Sequence, residues 1–250
     1  LDLQFGSRNE FLPEGNYWTS MTQQPYRLSM YAQDKLEHEG FVAIAGLNLD
    51  YVDPNGEWYV LDIYDDQFYS SNYSPEQDDK FQKEKLKGNI SLSPRLAISH
   101  PITEVSKIYF NYGHYQQMPI AQDLYRIRRG NNNEVINMGN PILPMAKTIS
   151  YELGYDHAMK DMYLVHLSAY YKDILDQQDY TEYISANSKV IYYQLTANSY
   201  EDIRGFELEL AKIRGDWITG QVNYEYRVNT SGYFGVKKYF ENPSEQRYYI

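Results

Sequence analysis

Five histidines, one acidic run, one arginine cluster and many tyrosines are the side chains of this chain that can do chemistry. The histidines are His38, His100, His114, His157 and His166. None forms a metal-ligand pair at helix spacing, and each reads as a polar residue within or at the end of a strand. No Gly-x-Ser-x-Gly nucleophile elbow and no glycine-rich phosphate loop occurs, so the residues point to binding and not to catalysis. Asp62, Asp65, Asp66, Glu76, Asp78 and Asp79 make one segment acidic. Calcium would need several such oxygens to converge, and the spacing matches no EF-hand, so the segment reads as a solvated acidic loop. Arg126, Arg128 and Arg129 are either contacts for an anionic ligand or solubilising charge. Tyr64, Tyr69, Tyr73, Tyr115 and Tyr125 can stack on a planar ring or a sugar.

The elements that must hold these residues show a two-residue period. Ile90, Leu92, Pro94, Leu96 and Ile98 alternate with Ser91, Ser93, Arg95, Ala97 and Ser99. Successive strand side chains point to opposite faces, so the segment has one apolar and one polar face. Ile149, Tyr151, Leu153 and Tyr155 repeat the pattern, as do Ile218, Val222, Tyr224 and Tyr226. Four hairpins follow: Tyr26–Lys35 with Phe41–Tyr51, Asn89–His100 with Lys107–Tyr115, Thr148–Asp156 with Met162–Asp173, and Tyr200–Ala211 with Trp217–Arg227. Their turns are short. The links between hairpins, Val52 to Gly88, Gln116 to Lys147 and Ile174 to Ser199, are long, and the last holds a possible extra strand near Val190–Thr196. A compact soluble domain rarely carries such loops, whereas outer-membrane barrels alternate short periplasmic turns with long extracellular loops. Strands of about 9–13 residues suit a tilted membrane crossing of about 9–11. Pro94 removes a ladder donor and predicts a bulge or local distortion. Leu1–Phe5 reads as a weak strand, the tail of a preceding strand followed by a long outer loop.

Composition agrees. There is no cysteine, so neither disulfides nor thiolate metal sites. The net charge of −11 argues against nucleic acid. Mean hydropathy is −0.66, and no run of 18 apolar residues suggests a membrane helix. Tyrosine is in excess, 28 of 250 residues, and suits the membrane–water boundary or ligand-gripping loops. Glu152, Glu207, Glu209 and Glu225 fall on the polar face and are expected to pair with Arg95, Arg204 or Arg227. Leu1 opens a polar segment without signal-peptide features, which leads to the expectation that the sequence is an internal piece of a longer chain.

These segments resemble TonB-dependent outer-membrane receptors. Tyr31-Ala32-Gln33-Asp34-Lys35-Leu36-Glu37 followed by Gly46-Leu47-Asn48-Leu49-Asp50-Tyr51 resembles their YxQD … GxRxD hairpin. Leu92–Ser99 with Tyr109–His114 is similar to the next hairpin. Lys147–Tyr155, Ala169–Ile174, Ile203–Leu210 and Val222–Tyr226 follow in the family's order. Asn48 stands where the family has Arg, and Thr148 replaces an acidic residue. The resemblance implies an all-β, antiparallel meander of about eight long strands within a roughly 22-stranded transmembrane barrel, residues 1–250 forming one partial barrel domain. It implies import of a scarce nutrient across the outer membrane of a Gram-negative bacterium, with no enzymatic activity and no cofactor. The cargo would be a siderophore, cobalamin, an oligosaccharide or a similar molecule. Partners would be outer-membrane lipid, the plug domain of the parent chain, the TonB complex and a small-molecule or oligosaccharide ligand. Tyr64, Tyr69, Tyr115, Tyr125, Arg126 and Arg128 are the candidate substrate contacts, in loops and lumen. Two other readings are a complete small barrel acting as adhesin or enzyme, and a soluble carbohydrate-binding β-sandwich.

Overall fold

The structure is a computed structural model that describes residues 2–5, 19–22, 24–215, 217–242 and 244. In chain order its elements are β1 (Asp2–Phe5), β2 (Thr19–Thr22), β3 (Tyr26–His38), β4 (Phe41–Asp53), β5 (Glu57–Tyr59), α1 (Asp66–Tyr69), a 3-10 turn (Pro75–Lys80), β6 (Lys83–Lys85), β7 (Asn89–Thr103), β8 (Ser106–Gln117), α2 (Ala121–Tyr125), β9 (Ile127–Arg129), β10 (Val135–Met138), β11 (Ala146–Met159), β12 (Tyr163–Ile184), β13 (Ile191–Lys212), β14 (Gly220–Tyr233) and β15 (Lys238–Phe240). All four expected hairpins form. β3, β4, β7, β8, β11, β12, β13 and β14 run as one antiparallel meander, each pairing with its neighbours in sequence. Among the described residues, β3 pairs only with β4 and β14 only with β13, so the eight long strands form a curled wall with two free edges and not a closed eight-stranded barrel. β1 and β2 form a separate two-stranded ribbon. The sequence reading of Leu1–Phe5 as a strand tail therefore holds a strand at Asp2–Phe5, with a partner at Thr19–Thr22 that was not foreseen.

The registers fix the faces. Asp50, Ser91 and Ser93 share one face of β4 and β7, and Leu49 and Leu92 share the other. Asp50 and Ser93 are 2% exposed, while Leu92 is 51% exposed. Burial is thus inverted relative to a soluble protein: small polar groups are covered and large apolar ones are open. Such a wall is stable where the apolar face meets hydrocarbon and every backbone group is satisfied by the ladder.

Three expectations need correction. The stretch Ile174 to Ser199 is not a long loop. β12 and β13 continue through it as the arms of a hairpin that stands above the wall, closed at residues 185–190. Two compensating irregularities, between Ile174 and Gln177 and between Gln177 and Asp179, break the alternation, which is why the sequence pattern lapses there. Of the two outcomes expected at Pro94, the bulge is not seen, since β7 passes it in unbroken register with β4, and the local distortion is. The ladder on the other side ends instead, the β7–β8 register starting only at Arg95↔Gly113. A residue without an N–H can sit at a ladder end without leaving a donor gap inside it. The irregularity in β7 lies lower, between Pro101 and Thr103. Finally, Arg204 alternates away from Glu207 and Glu209 to the apolar face, where its nearest acid is Asp202 at 3.9 Å. Two of the polar-face carboxylates are met by tyrosines: Tyr109 donates to Glu152 (2.8 Å) and Tyr170 to Glu225 (2.5 Å).

Candidate functional site

The long links do not trail into solvent. They fold with the β12–β13 tip into a cap that contains nearly all the buried apolar side chains among the described residues. At the tip both strands change neighbours. β10 runs parallel to β13 at Asn137↔Tyr193, β9 adds to β10, and β15 runs parallel to β12 at Tyr183↔Tyr239. The result is a small mixed sheet above the wall.

α1 packs on this sheet. Asp65 caps it, its carboxylate accepting from the main-chain N–H groups of Gln67 (2.8 Å) and Phe68 (2.9 Å). That places Phe68, 0% exposed, among the rings of Tyr59, Tyr69, Tyr73 and Phe81, with centroids 4.8–5.8 Å away. Tyr69 stacks on Tyr192 (4.1 Å), Tyr192 on Tyr183 (5.1 Å) and Tyr183 on Tyr239 (5.4 Å). Burial pushes the Tyr69 hydroxyl up to about 12. Arg129 joins the two long links. Its guanidinium donates to the carbonyls of Phe68 and Asn133, both at 2.8 Å, and lies 3.3 Å over the Tyr73 ring. Burial pulls its pKa down while the neighbouring tyrosines and Asp78 oppose the fall. Tyr192 donates to the Ile63 carbonyl and Asn140 to that of Leu195, so the cap is also cross-tied through its backbone.

Between these parts lies a cavity of about 580 Å³. Trp58 comes from β5, Tyr125 from α2, Leu143 from the link before β11, and Tyr192 and Gln194 from β13. Gly88 and Asn89 at the head of β7 and Met118 and Pro119 at the end of β8 form its floor-side margin. An aromatic and aliphatic lining with a few amides and the charges of Glu84, Lys85 and Lys87 has the size and composition of a small-molecule pocket.

The structure distributes the sequence candidates unevenly. Tyr69 and Tyr125 both line the cavity and are largely buried, Tyr125 edge-on to Trp58 at 6.3 Å. Tyr64 sits apart, its hydroxyl donating to the Tyr239 carbonyl. Tyr115 lies lower, on the polar face of β8, with Arg95 4.8 Å over its ring. Arg126 is half-buried against Gln122, and Arg128 is exposed on β9. Trp58, Leu143, Tyr192 and Gln194 were missed. Trp58 was the available signal, a large aromatic residue set directly after Asp53-Pro54-Asn55-Gly56.

Comparison with known proteins agrees with this architecture. The chain matches the family described as TonB dependent receptor-like, beta-barrel over residues 2–247. No curated protein matches it. Among solved structures it is similar to the copper transporter OprC (16% identity, TM-score 0.55, covering 85% of this chain and 30% of that one). It is also similar to the hemophore receptor HasR of Serratia marcescens, solved as a double mutant with its hemophore HasA and heme (15% identity, TM-score 0.61, 82% and 34%). The FrpB iron transporter of Neisseria meningitidis is a third (13% identity, TM-score 0.54, 82% and 26%). At these identities the likeness speaks for the fold, and the chain spans about a third or less of each of these structures. A wall with polar groups inside and apolar groups outside, long strands, alternating connections and a match along nearly its whole length place the chain in the TonB-dependent receptor β-barrel family.

Proposed function

We propose that this chain forms part of the wall and the outer loops of an outer-membrane transporter that binds a scarce nutrient at its long-loop end and passes it along the polar face. On this reading the short turns are periplasmic, the long connections extracellular and the apolar face lipid-facing, in a Gram-negative outer membrane. The plug domain and the segment that meets the TonB complex belong to the parent protein. Binding and passage, with no catalytic step, are what the side chains suit. The observation that carries the proposal is the aromatic-lined cavity built jointly by both long links and the β12–β13 tip. Two loops and a hairpin that share one core form a fixed pocket, and a fixed pocket spares the ligand the cost of ordering loops. Its rings favour a cargo with a planar or sugar face, such as a catecholate siderophore or an oligosaccharide.

The test uses the intact parent protein in cells. A panel of a ferric catecholate, heme, cobalamin and a malto-oligosaccharide is offered to cells with the wild type or Trp58→Ala. One compound is expected to be taken up only with the protein and an energised inner membrane, with affinity about tenfold weaker in Trp58→Ala, or ~1–2 kcal/mol for a lost ring contact. Uptake of none of them, or an unchanged affinity in Trp58→Ala, counts against the proposal.

A further inference from the structure

We propose that the apolar face of the wall carries, at its short-turn end, a groove that holds one anionic glycerophospholipid, with an acyl chain on β12–β14 and the phosphate on Lys212. The proposal rests on the membrane-barrel reading above and adds a specific lipid site to it. The groove lies over β13, which is paired on both sides along this stretch, so its floor is complete. Two cross-strand rows form it: Met159–Tyr163–Lys212–Gly220 and, two residues nearer the long loops, His157–Val165–Leu210–Val222. A Cβ at Gly220 would meet nothing within 4 Å. Gly113, Gly154 and Gly205 elsewhere in the wall each lie under a tyrosine ring. The chain fills the space over those glycines and leaves the space over Gly220 open. With Ile218 and Val222 on one side and Tyr163 on the other, the opening is a cavity of about 470 Å³.

The groove is apolar along its length and cationic at one end. Its lining holds no acidic residue, and Lys212 is its one charge. Among the described residues Lys212 makes no ion pair, and neither does the exposed Arg214 beyond it. A Cβ at Gly215 would lie 2.9 Å from the Lys212 Cε and 3.1 Å from its Nζ, so the ammonium reaches to the turn. The height suits a headgroup. On β13 the apolar face runs through Phe206, Leu208 and Leu210 between Arg204 and Lys212. That length of strand is roughly 26 Å, or roughly 20 Å of height at barrel tilt, against an apolar band of about 25 Å. The two basic residues thus mark the two edges of the band, and Lys212 marks the periplasmic one. Trp217, 96% exposed in the same turn, suits that boundary. An apolar trough that ends in an unpaired ammonium at the membrane–water boundary matches a lipid tail and a phosphate oxygen together. A choline headgroup would set a further cation beside Lys212 and Arg214, so an anionic headgroup is favoured.

The test is native mass spectrometry of the intact parent protein released from nanodiscs of equal phosphatidylglycerol and phosphatidylcholine. The wild type is expected to retain phosphatidylglycerol roughly fivefold over phosphatidylcholine, which is what one basic residue at a membrane surface supplies. Lys212→Gln should lose that preference. Gly220→Leu should fill the groove and lose the retained lipid while Lys212 stays in place. Each variant is first checked for the heat-sensitive gel mobility of a folded barrel, and Lys212→Gln carries the test if Gly220→Leu fails to fold. Equal retention of the two lipids by the wild type overturns the proposal, as does a preference that Lys212→Gln leaves unchanged. Retention that Gly220→Leu leaves unchanged also overturns it, because it places the lipid elsewhere on the barrel. Uptake of cargo enters none of these readouts, so the lipid site can fail while transport stands. A parent protein that does not insert into the nanodisc overturns the barrel reading and the site with it, whereas an inserted protein without lipid preference overturns the site alone.

Discussion

The wall and the cap of this molecule are built on opposite rules. In the wall, Asp50, Ser93 and Ser168 are covered while Leu49, Leu92 and Leu167 are open, and backbone ladders do the holding. In the cap, Phe68, Val135, Val190 and Tyr192 are covered, and covered polar groups such as Ser70, Thr181 and Ser185 are hydrogen-bonded, as in a soluble domain. On the outer-membrane reading the wall takes its hydrophobic partner from lipid, whereas the cap supplies its own. One chain thus carries two units whose stabilities answer to different solvents.

Single substitutions should separate the two. The largest effect is expected for Phe68→Ala, which empties the centre of the cap core. Loss of a buried Phe costs about 3–5 kcal/mol. Limited proteolysis should then cut the long links at residues 54–88 while the wall stays protected, and cleavage in the wall at the same rate would merge the two units. Leu96→Arg is the converse. Leu96 is the middle residue of β7 on the apolar face, where an arginine near the bilayer midplane costs about 2–4 kcal/mol. Refolding into lipid should weaken by that amount while proteolysis of the cap is unchanged, and a neutral result would reverse the faces.

Next comes Gly205→Ala. A Cβ there would lie 2.3 Å from the Tyr226 carbonyl oxygen and 2.8 Å from the Tyr170 hydroxyl, whereas one at Gly220 meets nothing within 4 Å. Overpacking of about 1–3 kcal/mol is expected at Gly205 and a neutral or slightly favourable change at Gly220. Equal thermal midpoints for the two variants would remove the significance of the ring-over-glycine packing. The smallest effect is on pH. Asp78 accepts from Tyr59, Tyr73 and Lys83 in the cap. Burial alone would raise its pKa, but these hydrogen bonds win and hold it below the usual 3.8. A carboxyl depressed by folding stabilises above its unfolded value, and that stability is lost as pH falls through the folded one. The near-UV signal of the cap tyrosines should therefore change below about pH 3.8 in the wild type, and Asp78→Asn should flatten the change.

The same contrast explains what could be read from the sequence. Wall strands announce themselves because each residue's face depends only on its parity, and one apolar and one polar face keep that parity over the full strand length. Reading failed where parity fails, at the irregularities around Gln177, so a projecting hairpin passed for a loop. The cap was illegible for a different reason. Arg129 reaches Phe68 across 61 positions and Tyr192 reaches Ile63 across 129, and no local pattern encodes either contact. Of the residues that line the cavity, Tyr69 and Tyr125 were singled out by residue type, but Trp58, Leu143 and Gln194 became visible only once the links were folded together. The tyrosine excess acquires a further cause. Beyond boundary and loop roles, Tyr31, Tyr109, Tyr115 and Tyr170 lie over glycines on the polar face, a space that only glycine leaves.

Pro94 has a mechanical consequence. Below Arg95, β7 is stitched on both sides; above it, Asn89–Ser93 are hydrogen-bonded to β4 but not to β8. The wall therefore has a seam that starts at Arg95 and opens toward the long-loop rim. Parting β7 from β8 along this seam breaks no ladder bond, so the rim is more compliant here than between β4 and β7 or between β8 and β11, where pairing is continuous. Gly88 and Asn89 on one lip and Met118 and Pro119 on the other are margins of the loop cavity. The loop cavity therefore borders a stretch of the rim where two lips can part without breaking a ladder bond.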